Sequence, residues 1–210
     1  PGTVVHIGQK KTEKPIITVF KYSPDRCETC SPQGFEDFTP TDTDEITWVN
    51  IDGISHTDMV EKAGRVFGIH PLVLEDIANT TQRPKLEDYQ SHLYIVLKML
   101  TWDRSSEAVN TEQVSIVLTK HAVISFQEAP GDVFDTVRNR IKNSAKKIKK
   151  MPPDYLAYSL IDSIVDNYFI ILERIGEKIE KLEESLITTP DETVINNIHI
   201  LKRELILLRR

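Results

Sequence analysis

Short apolar runs and amphipathic segments alternate over the first 150 residues. Runs rich in β-branched and aromatic residues predict strands; they are TVVHI (3–7), IITVFKY (16–22), EITWVNIDGI (45–54), SHLYIVLKMLTW (91–102), EQVSIVLT (112–119) and AVISFQE (122–128). Polar breaks separate the last three runs, which predicts a three-stranded antiparallel meander. Strands and helices in mixed order predict an α/β layered domain that ends near residue 150.

Helix signals lie between and after these strands. Ser55 and Thr57 are candidate N-caps for a first helix that ends at Gly68. Pro71 is placed to be the first residue of a second helix. Asp132 can cap a third helix, DVFDTVRNRIKN.

Beyond Pro152 and Pro153 the apolar positions follow a heptad pattern. They recur at alternating spacings of four and three, which predicts a long helix packed along another helix: Ile161, Val165, Tyr168, Leu172, Ile175, Ile179, Leu182 and Leu186. A capping box with proline at its first helical position follows at Thr189 to Glu192. The stripe then restarts, at Val194, Ile198, Leu201, Leu205 and Leu208. No stop signal precedes Arg210, so we expect a fragment cut within a helix.

Composition narrows the range of partners. A formal net charge of -6 and a pI near 5.6 argue against a general nucleic-acid binder and favour cationic partners, metal ions among them. Basic residues concentrate at 138–150 and acidic ones at 154–184. No signal peptide is recognisable, and no apolar run approaches the ~18 residues of a membrane helix. We therefore expect this chain to be soluble.

Several motifs carry little functional information. Cys27 and Cys30 form a single CxxC in a polar segment, which is insufficient for a zinc ribbon or a thioredoxin-like site and favours a loop pair. The basic run 138–150 could attract phosphate or anionic lipid head groups, but a solvated helix end is favoured. There is no HExxH, GxSxG, Walker or GxGxxG motif, so hydrolase, NTPase and dinucleotide-binding functions have no residues to support them.

Two adjacent acids, Glu75 and Asp76, lie inside the apolar run PLVLEDIA (71–78). A cationic turn, Gln82 to Lys85, and two more acids, Glu87 and Asp88, follow them. One interpretation is that acids are simply favourable after a proline at a helix start. The other is that a carboxylate bordering an apolar interface needs a partner. Magnesium suits that role because it takes oxygen ligands and can use one or two carboxylates while keeping much of its water.

Further acids lie along the long predicted helix. Asp162 and Asp166 are four residues apart, and Glu173, Glu177, Glu180 and Glu184 keep close to the same face. Like charges at this spacing slightly destabilise a helix unless a cation lies over them. The face is therefore either exposed to solvent, or an acidic surface that binds a cation or a basic partner.

The motifs together resemble a known family. The segments GIHPLVLEDIANTTQRPKLEDY, YIVLKML, EQVSIVLTKHAVISFQE, GDVFDTVRNRI, DYLAYSLIDSIVDNYF and HILKRELILLRR occur in the order found in the cytoplasmic portion of the CorA magnesium and cobalt transporters. PGTVVHIG and TWVNIDGI match as well. The resemblance covers nearly the whole chain, apart from about 26–44.

The resemblance implies a homopentameric, funnel-shaped channel and no enzymatic activity. Each subunit would have a three-layer α/β/α sandwich with a mixed sheet (1–150), a long acidic helix (151–188) and the start of a stalk helix (189–210). The pore, with its Gly-Met-Asn motif, would lie in membrane helices beyond Arg210, so this fragment alone would not transport ions. We expect it on the cytoplasmic side of the inner membrane, soluble and able to exist as a monomer.

The resemblance also implies divalent-cation sites between neighbouring subunits. Asp76 would be a principal ligand for Mg²⁺, paired with an acid of the adjacent subunit's stalk, and Glu75 and Asp162 would serve a second site. Asp166 is a candidate from position alone. Co²⁺ or other divalent cations could substitute. Ions bound there would hold a closed state at high internal Mg²⁺.

Three alternatives stay open. A zinc-transporting branch of the same family has the same soluble architecture. A soluble cation-binding regulator without a pore would need none of the missing helices. A metal-dependent hydrolase is disfavoured, because neither acid pair comes with a recognisable nucleophile or base.

Overall fold

The structure is a computed structural model, and it describes residues 3–35, 45–143, 148–188 and 191–208. Its strands are β1 (Ile16–Tyr22), β2 (Cys27–Cys30), β3 (Ile46–Asp52), β4 (Lys85–Asp88), β5 (Leu93–Asp103), β6 (Ala108–Leu118) and β7 (Ala122–Gln127). The helices are α1 (Thr57–Phe67), α2 (Pro71–Ala78), α3 (Asp135–Asn143), α4 (Pro153–Thr188) and α5 (Glu192–Leu208), with a 3₁₀ turn at Ile148–Lys150.

One mixed sheet contains all seven strands, in the order β2-β1-β3-β7-β6-β5-β4. β3 pairs in parallel with β7, where Val49 lies opposite Ile124, and antiparallel with β1. β5, β6 and β7 are neighbours in sequence order, and β6 pairs antiparallel with β7, as the meander prediction requires. All seven residues of β3 are buried, as expected for a central strand.

Helices cover both faces of this sheet. On one face, α1 and α2 pack against β3 and β7, and Val60, Ile77, Val49 and Phe126 belong to the same buried cluster. On the other face, Phe134, just before α3, meets the Trp48 ring edge-on at a centroid distance of 6.0 Å. The predicted fold class, a three-layer α/β/α sandwich with a mixed sheet and long C-terminal helices, is confirmed.

The helix ends agree only partly with the predicted caps. Pro71 is the first residue of α2, and the ring of His70 accepts a hydrogen bond from the Leu72 backbone nitrogen at 3.3 Å. α1 begins at Thr57, but its N-cap is His56 and no side chain caps it, so the prediction of Ser55 or Thr57 as cap was wrong. Gly68 ends α1 with φ 64°, a left-handed conformation that favours glycine.

The side chains of Asp132 and Asp191 accept backbone hydrogen bonds near the starts of α3 and α5. α3 begins at Asp135, three residues after the predicted start, and Asp132 accepts from the Phe134 backbone nitrogen at 2.9 Å. Asp191 accepts from the Val194 backbone nitrogen at 2.9 Å and caps α5. The predicted capping residue Thr189 and the following Pro190 lie outside the described residues.

Three strand predictions needed correction. The run TVVHI forms no strand, only an isolated bridge from Ile7 to Asn79. β4 was missed because its sequence, KLED, is short and mostly charged. β2 was missed because it is short and polar, and it lies at the edge of the sheet, paired with β1.

β2 carries the two cysteines, which were predicted to lie in a loop. Cys27 is half-buried and Cys30 is exposed, and both are free thiols. In an extended strand, residues three apart point to opposite faces and their Cα atoms are about 10 Å apart. A disulfide needs Cα atoms within about 7 Å. The pair therefore cannot close a disulfide while β2 is intact.

By compactness the chain divides into two units, and the division passes through β5, β6 and α4. The first is Pro1–Met99 with Glu112–Ser163, and the second is Leu100–Thr111 with Ile164–Arg210. The domain boundaries at residues 150 and 188, which rest on changes in the sequence pattern, stay predictions.

In the second unit, α4 and α5 pack together, as the heptads predicted, but through a partly different stripe. Ile171, Ile175 and Leu201 are buried in one cluster with Ile179, Leu182 and Leu208 against it. Three residues of the predicted α4 stripe are exposed, Val165, Leu172 and Leu186, at 39%, 55% and 45%. Ile198 and Leu205 of α5 are also exposed. The error has a physical reason: α4 is apolar on two sides, and spacing alone cannot identify the buried one.

An ion pair links α4 and α5 beside this cluster. The Lys178 ammonium lies 3.1 Å from the Glu204 carboxylate, and their side chains are 18% and 9% exposed. The same ammonium donates to the Glu107 carbonyl at 2.9 Å and lies 5.9 Å from the Trp102 ring centroid. A charge buried this far is tolerated because it is paired and hydrogen-bonded.

By length and composition α4 is apolar enough to cross a membrane, with a mean hydropathy of 1.2 over an 18-residue window. The expectation that no run approaches this length was therefore wrong by that criterion. Buried core helices meet the same criterion, and Leu156, Leu160 and Ile164 of α4 are buried. Asp162 and Asp166 also lie in α4 and would be costly within a bilayer.

Two helical glycines should respond differently to an added methyl group. At Gly176 in α4, a Cβ would meet no described atom within 4 Å, so Gly176→Ala should raise the free energy of unfolding by about 0.5–1 kcal/mol through helix propensity. At Gly64 in α1, a Cβ would lie 2.3 Å from the buried Leu74, so Gly64→Ala should gain less or destabilise. Urea denaturation of both variants tests this; equal gains would contradict the packing at Gly64.

Candidate functional site

The Asp76 carboxylate lies at the end of α2, where the chain turns toward β4. Its side chain is 26% exposed. One oxygen accepts from Gln82 Nε2 at 2.8 Å, and the other contacts Lys85 Nζ at 2.6 Å. The carboxylate is therefore held on both sides by its own chain. The Asp76 backbone is fixed as well, since its carbonyl accepts from Gln113 Nε2 at 3.2 Å.

Lys85, the first residue of β4, bridges two carboxylates. Its ammonium contacts Glu87 Oε1 at 2.8 Å as well as Asp76. Burial disfavours the charged ammonium, but the hydrogen bonds to Asp76 and Glu87 outweigh it and raise the pKa of Lys85. The hydrogen bond from Lys85 in turn lowers the pKa of Glu87. The other Glu87 oxygen accepts from the Tyr89 hydroxyl at 2.9 Å.

A stack of three rings positions Tyr89. Its ring lies 5.4 Å from that of His70 and 5.2 Å from that of His92 between centroids, and both pairs are stacked. His92 is 5% exposed, and burial, followed by the charge of the nearby His70, lowers its pKa and so favours the neutral ring. The network from α2 through β4 is thus continuous with the start of β5.

The other predicted ligands are Glu75 on α2 and Asp162 and Asp166 on α4. Glu75 is next to Asp76 on α2 and is half-buried, as is Asp162 on α4, whereas Asp166 is exposed. Within the described ranges, no three His, Cys, Asp or Glu side chains come together as a potential metal site. The structure therefore does not assemble Asp76, Glu75 and Asp162 into a site within one chain.

Asp76 and its surroundings fit a divalent cation in donor type, though not in donor number. Carboxylate oxygens are the ligands that Mg²⁺ prefers. The Lys85 ammonium shows that a cation fits against both Asp76 and Glu87. The remaining ligands would have to be water or groups of another chain.

The acidic face of α4 and the basic run have different environments. Asp166, Glu173, Glu177, Glu180 and Glu184 are all exposed, as a solvated face would be. In the basic run, Arg138 is bound to Asp132 and Asp135, and the Lys142 ammonium lies 5.6 Å from the Phe20 ring centroid. These two cations contribute to packing on the α3 face of the sheet. Residues 144–147 lie outside the described part of the chain.

A second polar group, which the sequence did not suggest, lies at the carboxyl ends of β3 and β7. We name it the buried acid cluster: Asp52, Glu112 and Asp132, together with Arg138, the counterion of Asp132. The guanidinium of Arg138 binds both oxygens of Asp132, whose side chain is 3% exposed. Gln127 donates to Asp132 at 2.9 Å and to Asn50 at 2.6 Å.

Two carboxyl groups of this cluster have strongly raised pKa values. Burial, and then the charge of Asp132, raise the pKa of Asp52 to about 6. Burial raises the pKa of Glu112 to about 8, although Lys11 opposes the shift. Glu112 is therefore largely protonated near neutral pH. No local pattern could reveal the cluster, because its members come from β3, β6, the segment before α3 and α3 itself.

Comparisons with known proteins agree with the resemblance seen in the sequence. A family model described as "CorA-like Mg2+ transporter protein" matches residues 43–210. The cobalt/magnesium transport protein CorA of Thermotoga maritima is 46% identical over 211 residues, which cover 100% of this chain and 60% of that protein. This chain thus spans less than two thirds of that relative's length.

Solved structures show the same fold at low identity. The soluble domain of CorA from Methanocaldococcus jannaschii has a TM-score of 0.68 at 17% identity, covering 90% of this chain and 72% of that one. The cytoplasmic domain of ZntB from Vibrio parahaemolyticus has a TM-score of 0.63 at 13% identity, with coverages of 90% and 72%. With a family match over most of its residues and a 46% identical relative along its whole length, the chain belongs to the CorA-like Mg²⁺ transporter family.

Proposed function

We propose that this chain is the cytoplasmic regulatory domain of a CorA-type channel for Mg²⁺ and Co²⁺, without enzymatic activity. It senses internal Mg²⁺ through carboxylate sites shared between the subunits of a pentamer. The observation that carries this proposal is the half-buried Asp76 carboxylate, which lies in the region that matches the family and already contacts a cation, Lys85.

Sharing between subunits follows from the donor count. A Mg²⁺ ion takes six ligands and keeps several waters, so one carboxylate per chain is a weak site. A second carboxylate from a neighbouring chain would complete it. Asp76 would serve one such site, and Glu75 with Asp162 a second. Ions bound at these places link adjacent subunits and stabilise the closed channel.

The energy available is adequate for gating. A ligand at ~10 times its Kd stabilises the state that binds it by about 1.4 kcal/mol per site. Five equivalent sites would shift the equilibrium between closed and open states by several kcal/mol, which changes the populations decisively. When internal Mg²⁺ falls, the ions leave and the links between subunits are lost.

The test uses the full-length protein, because the proposed sites need a second subunit. Asp76→Asn and Asp162→Asn should each raise the Mg²⁺ concentration that protects the protein from limited proteolysis, by about tenfold or more, since a neutral amide is a poor Mg²⁺ ligand. The matched control is Asp58→Asn, at an exposed acid in the first turn of α1, which should not move the midpoint.

Two results would contradict the proposal. If Mg²⁺ protects the Asp76→Asn and Asp162→Asn variants from proteolysis at the same midpoint concentration as the parent, these residues are not ligands of the sensor. If flux measurements in vesicles show Zn²⁺ but neither Mg²⁺ nor Co²⁺ uptake, the zinc-transporting alternative replaces the channel assignment.

A further inference from the structure

We propose that Lys85 is a built-in competitor of the divalent cation at Asp76, an inference that rests on the proposed function. Its ammonium lies 2.6 Å from Asp76 Oδ2 and 2.8 Å from Glu87 Oε1. It therefore occupies the space beside Asp76 Oδ2 that a metal ion on that oxygen would need.

The surrounding structure holds the ammonium at this position. Lys85 is paired with Val96 in the β4–β5 ladder, so the base of its side chain is fixed. The ammonium also lies 5.5 Å from the centroid of the Tyr94 ring, a residue that is fully buried. The Lys85 side chain is 27% exposed. This degree of burial and the contact with two carboxylates distinguish Lys85 from a solvated surface lysine.

The remaining carboxylate oxygens have donors of their own. Gln82 donates to Asp76 Oδ1 at 2.8 Å, and the Tyr89 hydroxyl donates to Glu87 Oε2 at 2.9 Å. All four oxygens of Asp76 and Glu87 are thus bound within the chain. A divalent ion that takes Asp76 Oδ2 must displace the ammonium, since two cations cannot share one oxygen at contact distance without strong repulsion.

The competition has two consequences for sensing. It lowers the affinity of the site, so that the site fills only when Mg²⁺ is abundant. It also means that a subunit without an ion does not carry an uncompensated Asp76, because Lys85 neutralises it. Loss of Mg²⁺ then removes the link between subunits mainly by restoring a contact within each subunit, and less by exposing acids that repel each other.

The experiment compares three variants of the full-length protein, with Mg²⁺ as the probe. Lys85→Gln removes the charge and should lower the Mg²⁺ midpoint of protease protection by about tenfold. Lys85→Arg keeps a cation and should stay within about threefold of the parent. Lys120→Gln, at an exposed lysine in the turn between β6 and β7, is the matched control and should leave the midpoint unchanged. A Lys85→Gln midpoint equal to or above that of the parent overturns the inference.

A second measurement does not depend on the folding of a variant. In the parent protein, acetylation of Lys85 by acetic anhydride, followed by mass spectrometry, should increase when Mg²⁺ is added. The displaced side chain is no longer held as an ammonium by Asp76 and Glu87, so it can lose a proton to solvent, and the neutral amine then attacks the anhydride with acetate as the leaving group. The acetylation of Lys120 should be constant. Lys85 labelling that stays level or falls overturns the inference.

Asp76→Asn distinguishes this inference from the function on which it rests. If Asp76→Asn leaves the Mg²⁺ midpoint unchanged, the proposed function fails. If Asp76→Asn raises the midpoint but Lys85→Gln does not lower it, Asp76 is a ligand and only the competition is wrong.

Discussion

Replacing Arg138 by methionine should lower the free energy of unfolding by about 3–5 kcal/mol, the usual cost of removing one partner of a buried ion pair. Arg138 contacts both oxygens of Asp132, and its guanidinium carbon lies 5.5 Å from the Trp48 ring centroid. Without it, Asp132 keeps a nearly buried charge beside Asp52. Methionine preserves much of the apolar contact with Trp48. The decrease in the free energy of unfolding would therefore come chiefly from losing the charge of Arg138.

The control for Arg138→Met is Arg140→Met, at an exposed residue of the same helix. We expect this change to cost less than about 0.5 kcal/mol, as surface substitutions usually do. Urea denaturation at pH 7 measures both. The double variant Arg138→Met with Asp132→Asn should recover part of the loss, because it removes the orphaned charge. Equal losses for Arg138→Met and Arg140→Met would contradict a role for the buried acid cluster in stability.

The free energy of unfolding should fall by about 2–3 kcal/mol as the pH rises from 4.5 to 8.5. In the folded chain the pKa of Glu112 is about 8 and that of Asp52 about 6, against ordinary values of 4.5 and 3.8. Between these limits the folded state holds protons that the unfolded state has lost, so raising the pH favours unfolding. The magnitude is discounted because Glu112 is partly exposed.

Glu112→Gln isolates this effect. The variant mimics the protonated acid, so its stability should change less than that of the parent between pH 6.5 and 8.5, a range above the lowered pKa of His92. Glu61→Gln, on α1, is the control and should keep the slope of the parent. Chemical denaturation at several pH values measures the slopes. A parent protein whose stability is constant or rises over this range would contradict the raised pKa of Glu112.

The predicted and observed elements agree best where the hydrophobic residues of a segment follow a single periodicity and most of the segment is buried. β3 is buried throughout and was predicted to within two residues at each end, and the meander of β5, β6 and β7 was predicted with its strand order, although β6 begins four residues before the predicted run. α2 was recognisable from Pro71 at its start. Short polar strands failed for the opposite reason: β2 and β4 have four residues each and owe their form to the neighbours with which they pair.

The candidate site was only partly predictable. The sequence singled out Asp76, because an acid inside an apolar run needs an explanation, and it placed Lys85 in a cationic turn nearby. It did not show that Lys85 reaches both Asp76 and Glu87, since that contact depends on how the segment after α2 returns to the sheet. The assignment of Asp76, Glu75 and Asp162 as ligands stays a prediction.

Local sequence determined the types of the main elements, the acidic character of α4 and membership of the CorA-like family, because periodicity, capping residues and ordered motifs are properties of neighbouring residues. Tertiary structure alone decided which side of α4 is buried, which cation meets Asp76, and that Asp52, Glu112 and Asp132 lie close enough to affect one another's charge. These contacts depend on the sheet order, which brings β3 beside β7 and joins side chains as distant as Asn50 and Ser125. Burial at such contacts sets the charge and pKa of each group, and no pattern of adjacent residues encodes it.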